Sequence, residues 1–175
     1  MGRYYRSMKA ISIFFCGALF VQSLQAQQID LFELTRTLNR NKVVYSVTVG
    51  ESGFTGKNPV KARWEMVEKG GKTESLTALE ARKAYGVIVY SVKPDEVVFS
   101  LKAQPSKKIS VRWITEKEVK VPKAIIVLNG VECALSRVHL VLGKGGILPA
   151  VNAIEFHGVD LQSGQTKVVT ENPRS

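Results

Sequence analysis

The chain has 175 residues, carries a formal net charge of +10 and has a sequence pI near 9.7. That length fits a single domain. Its only cysteines are Cys16 and Cys133; Cys16 belongs to the leader described next, so an internal disulfide is excluded and the fold must be held by its core. The positive charge is spread along the chain rather than gathered into a tail, which disfavours a nucleic-acid-binding arm and reads as a solvated basic surface.

The N-terminus has the three parts of a secretory signal peptide. Arg3, Arg6 and Lys9 form a positive segment with no acidic residue, and Ala10 to Val21 is a twelve-residue apolar run. Gln22 to Ala26 is then polar and ends in a small residue. The apolar run is too short to span a bilayer, which takes about 20 residues, so cleavage after Ala26 is preferred to an uncleaved anchor. Leu24-Gln25-Ala26 is an imperfect small-x-small site, and the cut can shift by a residue or two. Cys16 lies inside the apolar run behind Phe14 and Phe15, not directly after the cut, and is a poor site for a lipid anchor. Three of the ten excess charges sit in Arg3, Arg6 and Lys9, leaving seven for residues 27–175. A domain of roughly 149 residues buries about 68–70% of its unfolded surface, enough for an independent core.

The rest reads as short strands separated by turns. Ile29 to Leu38 is ambiguous, because Leu31, Leu34 and Leu38 have helical spacing, but a strand is preferred there. Val43, Tyr45, Val47 and Val49 alternate with less apolar neighbours, and Glu51 to Pro59 forms a loop with two glycines and a proline. Val60, Ala62, Trp64 and Met66 alternate with Lys61, Arg63 and Glu65, as a half-buried strand requires. Thr77-Ala78-Leu79-Glu80 matches a capping box and opens a short helix that Gly86 ends. Tyr85 to Val92 is apolar on both faces, as in a central strand. After the turn at Lys93-Pro94-Asp95, Val97, Phe99 and Leu101 alternate, as do Ile109, Val111 and Trp113. Leu128-Asn129-Gly130-Val131 signals a type I′ hairpin, and Gln162 to Gln165 signals a weaker turn. Between Val131 and Leu142 the apolar residues change parity, which a β-bulge near Ser136-Arg137 would explain; two strands with a corner between them would explain it equally. The predicted fold is all-β with one short helix: a single antiparallel sandwich or flattened barrel of about eight strands.

Asn39-Arg40-Asn41-Lys42-Val43-Val44-Tyr45, then Asn58-Pro59-Val60 leading to Trp64, then Ala84-Tyr85-Gly86, resemble a family of secreted bacterial domains known only as a domain of unknown function. The similarity spans most of residues 27–175. It implies an exported domain of this size and brings no activity, cofactor or catalytic residue.

No constellation declares a chemistry. Cys133 and His139 are six residues apart, about 20 Å along one strand at ~3.3 Å per residue, so Cys133 reads as a small buried core residue. His139, Glu155 and His157 lack recognised metal-ligand spacing and read as polar-face residues. Gly143-Lys144-Gly145-Gly146 lacks the spacing and following helix of a phosphate loop. Tyr45, Trp64, Tyr85, Tyr90 and Trp113 mostly sit on apolar parity and read as core, with a pocket lining as the other use. Lys102, Lys107, Lys108, Arg112, Lys117, Lys120 and Lys123 concentrate charge around one hairpin. The leading reading is therefore a non-enzymatic binding or interaction module of the cell envelope, with a face built from Lys61, Arg63, Trp64, Lys107, Lys108 and Arg112. Its expected partner is an anionic envelope component or another envelope protein, not nucleic acid, with no cofactor and no transmembrane segment after cleavage. The alternatives are a small apolar-ligand carrier with a β-barrel cavity and an envelope hydrolase with a dispersed site. Secreted or periplasmic localisation has a direct check: the intact mass of the exported product should correspond to a chain beginning at or within two residues of Gln27, whereas an uncleaved anchor would leave the full 175-residue mass.

Overall fold

A computed structural model of the chain describes residues 26–143 and 150–173. The apolar leader and Lys144-Gly145-Gly146 lie outside the described residues. The described chain forms strands β1 (Gln27–Arg36), β2 (Asn39–Gly50), β3 (Gly53–Phe54) and β4 (Val60–Met66), a 3-10 turn (Val67–Lys69), β5 (Lys72–Ser75) and helix α1 (Ala78–Lys83). Then follow β6 (Val87–Val92), β7 (Glu96–Leu101), β8 (Gln104–Glu116), β9 (Val119–Leu128), β10 (Val131–Leu142), β11 (Val151–Asp160) and β12 (Thr166–Glu171). The all-β class is as the alternation predicted. The twelve strands exceed the expected eight because pieces such as the two-residue β3 and the polar β5 carry no apolar period for a sequence reading to detect.

Two further expectations need correction. The sheet is mixed rather than antiparallel, because β1 and β10 run parallel with Leu34 opposite Val138 and Arg36 opposite Leu140. Tyr85 to Val92 is also not central: β6 ends the hydrogen-bonded order β5-β4-β2-β1-β10-β9-β8-β7-β6 and pairs only with β7. A register shift between Val89 and Ser91 turns Tyr90 away from the core and leaves it 45% exposed.

β10 is the spine of this sheet. Its first half, Val131 to Ala134, pairs with β9, and its second half, Arg137 to Leu140, pairs with β1. β11 pairs along the opposite edge from Cys133 to Leu142. Between the halves, Leu135 faces Gly158 and Arg137 faces His157, so Ser136 is an extra residue with no strand partner. Of the two explanations that the parity change allowed, the strand takes the bulge rather than a corner; Ser136 Oγ donates to His157 O at 3.1 Å. One arm of the sheet (β1, β2, β4, β5) leaves the downstream half of β10, and the other (β9, β8, β7, β6) leaves the upstream half. The arms share one core: Phe32 of β1 stacks on Tyr45 of β2 at 4.6 Å and lies 6.4 Å from Phe99 of β7. All three rings are buried, and truncating such a ring to alanine typically costs about 3–5 kcal/mol.

Local signals also operate as read. Thr77 Oγ1 accepts from Glu80 N at 3.3 Å and Glu80 Oε2 accepts from Thr77 N at 2.8 Å, completing the capping box of α1. Asn129 (φ 50°) and Gly130 (φ 81°) make the tight β9–β10 turn. The β8–β9 turn has the same left-handed geometry at Lys117 (φ 47°) and Glu118 (φ 69°), residues that occupy it with strain. Replacing them together with Asn and Gly (Lys117→Asn, Glu118→Gly) should stabilise the protein by about 1 kcal/mol, raising Tm by roughly 2–4 °C in a thermal melt; an unchanged or lower Tm would show that the turn is not strained.

Candidate functional site

The bulge at Ser136 turns Val138, Leu140 and Leu142 toward the inside of the molecule, where β1 runs beside them. There they meet Leu34 and Arg36 of β1 and Val151, Ile154 and Phe156 of β11, around a partly open pocket of about 370 Å³. The β7–β8 hairpin supplies Leu101, Ala103 and Gln104, and Ala84, Tyr85 and Pro173 complete the lining. The lining is almost wholly apolar. Its polar side chains are Gln104, the Tyr85 hydroxyl and Arg36, and Arg36 is the one charged residue among them.

Arg36 is held by neutral neighbours. Its Nη1 donates to Tyr85 Oη at 3.0 Å and its Nη2 to Asn39 Oδ1 at 3.2 Å. The guanidinium carbon lies 4.7 Å from the Trp64 ring centroid and 5.8 Å from that of Tyr85. Its Nε is buried without a hydrogen-bond partner among the described residues. Behind it lies a second, polar cleft of about 270 Å³ that Arg36 shares with Asn41, Trp64, Glu74, Thr77 and Glu80. Burial works against the charged form of Glu80, but bonds from Thr77 and Trp64 and the Arg36 charge outweigh it, holding the carboxyl below its ordinary range.

The residues singled out in the sequence are scattered. Lys61, Arg63 and Trp64 are on β4, and Lys107, Lys108 and Arg112 on β8, with β2, β1, β10 and β9 between them in the sheet order. Arg63 makes a two-pronged pair with Asp30, both bonds at 2.8 Å, and Arg112 pairs with Glu132 at 2.7 Å. Lys107 pairs with Glu171, and Lys108 Nζ sits 3.1 Å from the Tyr90 ring centroid. Lys61 is exposed with no ion pair among the described residues. Trp64 is buried, and its Nε1 donates to Glu80 at 3.2 Å. Of the other aromatics, Tyr45 is core, Trp113 stacks on Phe54 at 5.1 Å, and Tyr85 lines the pocket.

The histidines share the outer face of β10 and β11, with His139 opposite Glu155 and Arg137 opposite His157. His139 Nδ1 is bonded to Thr35 Oγ1 at 2.8 Å. Arg137 can only donate, so His157 Nδ1 accepts from it at 3.2 Å and Nε2–H donates to Glu155 at 3.2 Å. Among the described residues no three of His, Cys, Asp and Glu stand close enough to hold a metal.

Arg36 is the residue that the sequence reading missed. A signal existed: it follows Phe32 and Leu34 on the buried parity of β1, where a charge is out of pattern. That signal was hidden while Ile29 to Leu38 remained ambiguous.

Cys133 is fully buried, and its Sγ donates to Val131 O at 3.6 Å. Burial, with the nearby Asp160 charge, pushes its thiol above the ordinary value. In the cleaved chain, Cys133 should resist a thiol-specific disulfide reagent until denaturant is added; rapid labelling of the native protein would contradict its burial.

A family model described as a domain of unknown function (DUF4833) matches residues 32–171. No curated protein and no solved structure matches the chain. The matched stretch takes in β2 to β12, the second half of β1 and every residue lining the apolar pocket except Pro173. With the match running from Phe32 in the first strand to Glu171 at the end of the last, the chain belongs to the DUF4833 family of domains of unknown function.

Proposed function

We propose that this domain binds a small, largely apolar molecule in the pocket between the ends of β1 and β10, with residues 1–26 acting as its export signal. In this reading the two arms wrap as a flattened, incompletely closed barrel with the pocket at one end. The observation that carries the proposal is the pocket itself. Its volume of about 370 Å³ falls in the usual range for small-molecule sites, roughly 300–1,000 Å³. Its lining is almost wholly apolar and it is partly open, as a site that admits a small apolar molecule requires.

Two observations favour this reading over its rivals. A surface module needs no cavity, and most of the cations that would form its face are already engaged within the protein. A hydrolase built on Cys133 would need a histidine beside it, whereas both imidazoles are bonded to other residues on the outer face. No helix among the described residues is long and apolar enough to cross a membrane.

The test is titration with the neutral fluorescent probe 1-naphthylamine. It should bind saturably at one molecule per chain. Leu140→Trp, which fills the pocket with an apolar ring, should weaken binding about tenfold or more without changing the far-UV circular dichroism. Binding that does not saturate, or that Leu140→Trp leaves unchanged, would remove the pocket as the functional site.

A further inference from the structure

Arg36 is anomalous within an otherwise apolar wall. It lies on the same face of β1 as buried Leu34 and directly opposite Leu140. A cation taken partly out of water is costly unless an anion or a full set of acceptors compensates it. None of the ion pairs among the described residues includes Arg36. Its partners are the Tyr85 hydroxyl and the Asn39 amide oxygen, both neutral. A guanidinium has five N–H donors; two are used here, and the buried Nε–H is among those left over.

No carboxylate of the adjoining cleft bonds the Arg36 guanidinium. Glu74 is paired with Lys69 and Lys72, and Glu80 feels the Arg36 charge but commits its oxygens to Thr77 N, Thr77 Oγ1 and Trp64 Nε1. Lys107, whose Nζ is 5.3 Å from the ring centroid of pocket-lining Phe156, is neutralised by Glu171. Among the described residues, Arg36 is therefore the one charged side chain lining the pocket, and it has no ion pair. The Trp64 ring lies 4.7 Å from its guanidinium carbon, and the Tyr85 hydroxyl and Asn39 each tether one nitrogen, so the remaining donors are held in place before a ligand arrives. Such preorganisation raises affinity because less freedom is lost on binding.

We infer that the molecule bound here is an amphiphilic anion whose carboxylate-like head pairs with Arg36 and whose apolar body lies against Leu140, Val151 and Ile154. This inference rests on the pocket being a binding site. The size of the ligand follows from the room: at roughly 30 Å³ for a water-sized group, 370 Å³ holds about a dozen heavy atoms. Decanoate has that size, and 1-decanol offers the same tail without the charge.

The test is displacement of the naphthylamine probe from the purified protein by decanoate and by 1-decanol at neutral pH. Decanoate should compete about tenfold or more better than decanol, as a charge-assisted hydrogen bond predicts. Arg36→Met should reduce that preference to within about threefold while leaving decanol nearly unaffected, and Arg36→Lys should restore part of it. Equal competition by the two compounds in the unsubstituted protein overturns the inference without any variant, and leaves the pocket reading standing. Equal weakening of both by Arg36→Met would make Arg36 a structural residue and also overturn it. If the probe binds but neither compound displaces it, the amphiphile is excluded; if the probe itself does not bind, the pocket reading fails and this inference fails with it.

Discussion

One edge of β10 is divided between two strands that run in opposite directions. β9 occupies its first half and β1 its second, and Ser136 sits between them with no strand partner. An extra residue in a strand increases the local twist and reverses the parity of everything after it. Cys133 and Leu135 face the core before the bulge, and Val138 and Leu140 face inward after it. Without that reversal, the downstream half of β10 would turn its apolar side chains to solvent. Gly158 belongs to the same constraint. It stands opposite Leu135, where an added Cβ would lie 2.9 Å from Cys133 Cβ and 3.1 Å from Ala134 O, so the close approach of β11 to the bulge leaves no room for a side chain.

The divided edge also explains why core and pocket are separate regions. Where the arms meet, Phe32, Tyr45 and Phe99 fill the space between them with buried rings. Toward the ends of β1 and β10 the side chains become aliphatic, and the space stays partly open. The boundary of that space is set by contacts between distant segments. Tyr45 Oη donates to Tyr85 O at 2.9 Å and Lys102 N donates to Gly86 O at 2.9 Å, which ties the chain after α1 to β2 and to the β7–β8 turn.

The short helix illustrates how a local device can serve a tertiary purpose. Glu80 completes the capping box of α1, and the same carboxylate accepts from Trp64 Nε1. Trp64 in turn presents its ring to Arg36. A residue that caps the helix thereby steadies the ring that lies against Arg36. The basic surface follows a different logic: Lys42 and Lys123 pair with Glu33 and Glu116 on adjacent strands, while Arg63 and Arg112 reach across an intervening strand to Asp30 and Glu132, so part of the positive charge ties strands together.

The features legible in the sequence are those decided within a few residues. Alternation marks β2 and β4 because side chains alternate faces along a strand. Asn129-Gly130 marks its turn because both residues tolerate positive φ, and Thr77 to Glu80 marks the helix because the cap closes on itself. The parity change marked the bulge for the same reason. Lys117 and Glu118 escaped notice because their turn is imposed by strand pairing rather than by their own preference. The parallel pairing of β1 with β10, the terminal position of β6, and the site were decided only in three dimensions. Thr35 and His139 are 104 residues apart in sequence and adjacent in space. Each strand's pattern states that one face is buried, but not which strand will lie beside it. Arg36 shows the consequence: its charge was readable, whereas its confinement among Leu140, Trp64 and Tyr85 depends on four segments meeting, and no short stretch of the chain encodes that meeting.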